Sequence, residues 1–201
     1  MPENKPDTKT KIFYEALHLF AAKGVENVSM RDVADTVGIK AASIYNHYTG
    51  KELLVEACYD FFLEYYDIDR LTEEQLADVL LHGTKEEIAS ITNDQFQDDI
   101  EEDMVCAMIV LFSRMYTDAT AIRKYTQMID QSLQYLEKFL GMGIELGRFG
   151  VFNVRGLSLL FLSTRLFAAR SITLQPAILP EMGLAQQEMI TELVQAIPFM
   201  Y

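Results

Sequence analysis

The chain has 201 residues, 50% hydrophobic and 23% charged. This is a globular composition and excludes a disordered polymer. The net charge of −13 argues against a uniformly nucleic-acid-coating protein, because a polyanion must be met by local Lys and Arg.

The charge is unevenly spread. Residues 1–60 hold seven Lys/Arg and nine Asp/Glu, whereas residues 61–201 hold ten Lys/Arg and 21 Asp/Glu. The amino-terminal part is therefore nearly neutral, which leaves room for a one-sided basic face there. No run of about 18 apolar residues is present, so no membrane span is expected. The polar residues 1–11 lack the apolar core of a signal peptide. Cys58 and Cys106 have no CxxC-type neighbour and read as reduced, buried thiols. Together these features predict a cytoplasmic protein.

The apolar spacing is helical almost throughout, and no period-two stretch stands out. The first helix starts after Asp7. Ile12, Phe13, Ala16, Leu17, Phe20 and Ala21 mark its inner face, and Gly24 stops it. Ser29 caps a second helix, with Asp32 in the capping-box position. Met30, Val33, Ala34 and Val37 form its stripe and Gly38 breaks it. A third helix is expected over 41–47. A fourth opens at Thr49-Gly50-Lys51-Glu52 and runs on without a Gly/Pro linker, so a helix is expected to join the two regions of the chain. Further helices are predicted near 72–82, 84–92, 104–116, 119–140, 153–173 and 183–197. The acidic run 94–103 reads as solvated, since it lacks the glycine and acid spacing of a calcium loop. The glycine-rich stretch 141–150 reads as a helix end and a turn.

Two short helices joined by a glycine-containing turn are a helix-turn-helix, whose second helix enters the DNA major groove. The segment SMRDVADTVGIKAASIYNHYTGKELL over 29–54, preceded by FAAKG over 20–24, closely resembles the signature of the TetR (tetracycline repressor)/AcrR family. The resemblance covers residues 10–55. It implies an all-α fold of about nine helices. A three-helix helix-turn-helix DNA-binding domain (1–52) would be followed by a helical effector-binding and dimerisation domain (53–201).

The residue types fit DNA. Small side chains at Ala41, Ala42 and Ser43, after Lys40, let the helix backbone approach the groove, and the positive end of its dipole favours acceptors. Ser43, Asn46, Lys40 and Arg31 have donors suited to base edges, while Ser29, Tyr45 and Lys51 suit phosphates. The resemblance further implies phosphate or base contacts at Tyr45 and His47, a phosphate contact at Lys51, and inward packing of Tyr48. Lys5, Lys9 and Lys11 are available for nonspecific phosphate contacts. No arginine lies on the recognition helix, and Gly50 stands where the family often has Ser or Asn.

The resemblance also implies a pocket enclosed by the fifth to seventh helices, and pairing of the last two long helices across a two-fold axis. Phe62, Tyr66, Met104, Met108, Phe112, Met115, Tyr116, Tyr125 and Met128 are candidate pocket residues, because methionine and aromatic side chains adapt to hydrophobic ligands. Leu159, Leu160, Leu162, Ser163, Leu166, Ile190, Leu193 and Val194 are candidate dimer contacts on helices apolar nearly all round. The expected function is that of a homodimeric repressor released from double-stranded operator DNA by a small hydrophobic effector of unknown identity. The alternative is an activator, or a regulator of the same build controlled by a protein partner. No cofactor, metal, catalytic residue or membrane partner is expected. His18, His47 and His82 are scattered, with no HExxH or nucleophile-elbow pattern.

Overall fold

The computed structural model describes residues 7–68, 70–85, 87, 88, 91 and 102–174. Among the described residues all the named elements are helices. They are α1 (Thr8–Lys23), a single 3-10 turn (Val25–Asn27), α2 (Met30–Val37), α3 (Ala41–Ile44), α4 (Lys51–Ile68), α5 (Glu73–His82), α6 (Glu102–Arg114), α7 (Ala119–Glu145) and α8 (Val154–Leu174). Residues 85, 87, 88 and 91 are also helical, within the segment predicted over 84–92. The segment predicted over 183–197 and nearly all of the acidic run lie outside the described residues. No single described helix is long and apolar enough to cross a membrane.

By packing, the chain divides into two compact units. The first comprises residues 1–66 and 101–125, and the second 67–100 and 126–201. The first thus takes in α6 and the start of α7 besides the helix-turn-helix. Its core begins with Ile12, Ala16, Leu17 and Phe20 on one stripe of α1, all essentially solvent-free. α1 packs against α6 and α2, and α2 against α3. Met104, Ala107, Met108 and Leu111 form the buried face of α6. Ile44, Leu54, Val55, Cys58 and Tyr59 are fully buried as well. Both cysteines are free thiols, Cys58 buried and Cys106 half-buried. Burial pushes the Cys58 thiol up to about 12.

Polar contacts fasten this unit at its edges. His18 Nε2 lies 2.5 Å from Asp103 Oδ1, joining α1 to α6. The buried Tyr59 hydroxyl donates to Asp118 at 2.9 Å, and Lys124 pairs with Asp60.

The second unit has its own core of Leu76, Leu80, Ile88, Leu133, Leu136, Phe139, Leu140, Phe149, Phe161 and Leu162. Thr72 and Gln75 form a capping box at the head of α5. The glycine-rich stretch does end a helix: after Glu145 the chain turns through Gly147 at φ +70°. The Gly143 carbonyl then accepts the N–H groups of Arg148 and Phe149. That fold-back seats the Phe149 ring on Gly143, where a Cβ would approach ring carbon Cδ2 to 2.2 Å.

α8 separates into two faces. Ser158, Phe161, Leu162, Arg165 and Ala169 are buried at helical spacing. Leu159, Leu160, Ser163 and Phe167 are exposed on the other side.

Candidate nucleic-acid interface

The helix-turn-helix is built by local backbone chemistry. The Ser29 hydroxyl accepts the Asp32 N–H at 3.2 Å, and Asp32 takes the Ser29 N–H at 2.7 Å, completing a capping box at the start of α2. The Ser29 hydroxyl also donates to Asp32 at 2.6 Å. These bonds hold the Asp32 carboxyl below its usual range, with Lys23 and Arg31 adding charge attraction. Ser29 is thus a cap with both hydroxyl functions in use. Gly38 ends α2 in the left-handed region at φ +80°, and its N–H returns to the carbonyls of Ala34 and Asp35. Only glycine adopts that backbone without strain.

α3 is shorter than the predicted 41–47. Beyond Ile44 the hydrogen bonds tighten to three-residue spacing, with Asn46 N–H on Ser43 and His47 N–H on Ile44, before Tyr48 N–H also closes on Ile44. Residues 45–47 are therefore a turn. Ile44 is anchored in the core at 0% exposure, which turns the opposite side of the segment outward.

That outward side carries Lys40, Ala42, Tyr45, Asn46 and His47, all exposed, with Ala41 and Ser43 half-buried beside them. Ser29 and Arg31 are exposed at the head of α2. The face thus presents an ammonium, a guanidinium, a carboxamide, an imidazole, a phenol and a methyl group. These donors suit phosphate oxygens and base edges, and the methyl group suits the apolar surface of thymine.

Three lysines are placed otherwise than their exposure in sequence implied. Lys51 turns back into the protein and donates to the carbonyls of Val25 at 3.0 Å and Val28 at 3.3 Å. Lys11 donates to the Val37 carbonyl at 3.1 Å. Lys9 lies over the ring of the half-buried Tyr48, 5.7 Å from its centre. Carbonyls at turn and helix ends have acceptor capacity to spare and take the ammonium groups of Lys11 and Lys51, whereas Lys9 rests on an aromatic face. Lys5 lies outside the described residues.

The candidate pocket residues are only partly gathered. Phe62, Met104, Met108 and Phe112 are buried in the first unit. Phe112 makes edge contacts with Phe62 (centroids 6.4 Å apart) and Tyr125 (5.8 Å). Met115 is half-buried. Tyr116, 82% exposed, stands in solvent just beyond α6. Met128 is buried in the second unit, and the side chain of Tyr66 is outside the described residues. Of the candidate dimer contacts, Leu159, Leu160 and Ser163 lie on the exposed face of α8. Leu162 belongs to the core of the second unit and Leu166 packs against that core. Ile190, Leu193 and Val194 are outside the described residues. Sequence reasoning missed Phe167, which shares the exposed face at 67% exposure; its four-residue spacing from Ser163 was the available signal.

Residues 12–58 match the family described as bacterial regulatory proteins, tetR family. Over 61 residues the chain is 38% identical to IcaR of Staphylococcus epidermidis, the HTH-type negative transcriptional regulator of the biofilm operon icaADBC, covering 28% of this chain and 33% of that protein. The chain spans about a third of the length of the curated relatives it matches. Among solved structures, the TetR family transcriptional regulator PfmR of Thermus thermophilus superposes with a TM-score of 0.66 at 21% identity, over 92% of this chain and 96% of that one. A protein of Saccharomonospora viridis, solved in complex with choline, superposes with a TM-score of 0.70 at 15% identity, over 96% of this chain and 98% of that one. These two likenesses establish a shared fold over nearly the whole chain. The amino-terminal match thus sets a segment similar to bacterial regulatory proteins of the tetR family, residues 12–58, at the head of that shared fold.

Proposed function

We propose that this protein is a homodimeric transcriptional repressor. Residues 1–52 bind double-stranded operator DNA, and a small hydrophobic molecule bound by residues 53–201 releases it. The observation that carries the reading is the outward face of residues 40–47. It gathers Lys40, Ala42, Tyr45, Asn46 and His47 in solvent, with Arg31 exposed at the head of α2.

Repression accords with IcaR, a negative regulator similar over this segment. An effector in the helical remainder accords with the choline complex of the structural neighbour, and with the buried Met104, Met108 and Phe112 of α6. Dimerisation accords with the exposed row of Leu159, Leu160 and Phe167 on α8, which a second copy would cover about a two-fold axis. Two heads about 34–36 Å apart would meet successive major grooves, and an effector that changes that spacing would weaken binding.

The test is selection of duplexes from a random pool by the purified protein, followed by titration of the winning sequence. A palindromic site bound by two chains is expected, and Asn46→Ala should cost a factor of about 5–150 at particular base pairs, the equivalent of ~1–3 kcal/mol. Failure to enrich any duplex at low salt rejects the reading.

A further inference from the structure

The turn between α1 and α2 is held by two cations from elsewhere in the first unit. Lys51, at the head of α4, binds the carbonyls of Val25 and Val28. Arg114, in the last turn of α6, pairs with Glu26 of the same turn. It also lies 3.8 Å from Glu52, beside Lys51, and 3.7 Å from Asp118. Glu26 stands three residues before the Ser29 cap, so Arg114 reaches within one short step of the reading head.

Resting on the repressor reading, we infer that Arg114 is the positioning residue through which α6 sets the reading head for operator DNA. Three observations carry this. First, the guanidinium faces three carboxylates from three places: the turn, α4, and the loop after α6. Its fork geometry gives each pairing a direction as well as a charge. Second, the Arg114 side chain is only 16% exposed, and its Nε is buried without a hydrogen-bond partner. A group held short of one acceptor is costly for stability alone; its reach to Glu26 and Glu52 is what that placement provides. Third, α6 packs on α1, and it presents Met104, Met108 and Phe112 to the interior. A shift or rotation of α6 that withdraws Arg114 leaves Glu26, Glu52 and Asp118 without their shared counter-charge. Like charges then disfavour the closed turn, so the inferred role asks of the clamp a held and a released arrangement. This is the kind of two-state element that links one site to another.

The test uses full-length protein, a duplex selected by the wild type, and a scrambled duplex, titrated over a series of salt concentrations. Arg114→Gln is expected to weaken the selected duplex about tenfold, within the usual range of coupling between sites. The scrambled duplex should bind as before, and the salt slope should not change, because no phosphate contact is lost. Glu26→Gln should weaken the selected duplex in the same way, and the double variant should lose no more than the larger single loss, as groups acting on each other do. Wild-type affinity in Arg114→Gln, or losses that simply add, overturns the inference while leaving the repressor reading intact. If Arg114→Gln does not fold, the exposed Glu26→Gln decides alone, with wild-type affinity overturning the role. A wild-type protein that selects no duplex removes the repressor reading, and this inference with it.

Discussion

Replacing Lys51 by Met separates two roles that look alike in sequence. The ammonium of Lys51 donates at 3.0 Å to Val25 and 3.3 Å to Val28. The Val25 carbonyl also accepts the Val28 N–H at 3.3 Å, so it keeps a partner when the lysine is gone, and the Val28 carbonyl is left to find water. Hydrogen bonds to a charged group contribute about 1.5–3 kcal/mol each. One long bond and one shared acceptor bring the expected loss for the pair to roughly 2 kcal/mol. In a chain of this size that lowers the melting temperature by about 4–8 °C. Because the ammonium is occupied inside the protein, the slope of log affinity against log salt should stay as in the wild type. Lys40→Gln, at an exposed position, should flatten that slope by about one unit. Thermal denaturation followed by circular dichroism, and duplex titration over a salt series, measure the two quantities. A Lys51→Met protein that melts like the wild type but loses a unit of salt slope would refute the reasoning and return Lys51 to the phosphates.

Gly143→Ala should destabilise the second unit by about 1–3 kcal/mol, the usual cost of overpacking, because its Cβ would meet the buried Phe149 ring; urea denaturation with an unchanged midpoint would show that the ring moves freely aside. Cys58, buried and with its thiol pushed up to about 12, should resist alkylation in the native protein near neutral pH and react once unfolded, as mass spectrometry of iodoacetamide-treated samples reports. Its folded value lies above its unfolded one, so its contribution to stability is complete below the ordinary thiol range and is lost as pH rises from there to about 12. A stability that rises over the same alkaline window would contradict this.

Much of the reading head was legible in the sequence because its determinants are local. Ser29 and Asp32 cap over three residues, Gly38 supplies the left-handed stop, and Ile44 marks the inner side of a short helix. Helix positions further on were legible for the same reason, through apolar spacing. What depends on distant partners was not. Nothing near Lys51 in sequence announces carbonyls 23 and 26 residues back, and Arg114 meets Glu26 across 88 residues. α8 failed differently. With apolar residues on all sides, its spacing does not tell which leucines enter the core of the second unit. Leu162 does and Leu159 does not, and the buried Ser158 and Arg165 share the inner stripe against expectation. The early end of α3 was invisible because helical and three-residue turns place side chains similarly over a few residues.

The outer row of α8 has a consequence for how the protein behaves at low abundance. Leu159, Leu160 and Phe167 standing in water make a single chain adhesive. In the proposed dimer a second copy hides that row, and the pair gains resistance to heat by mass action. Dilution should therefore lower the melting temperature. A cell making only traces of the protein would hold a larger share of it as protease-prone single chains.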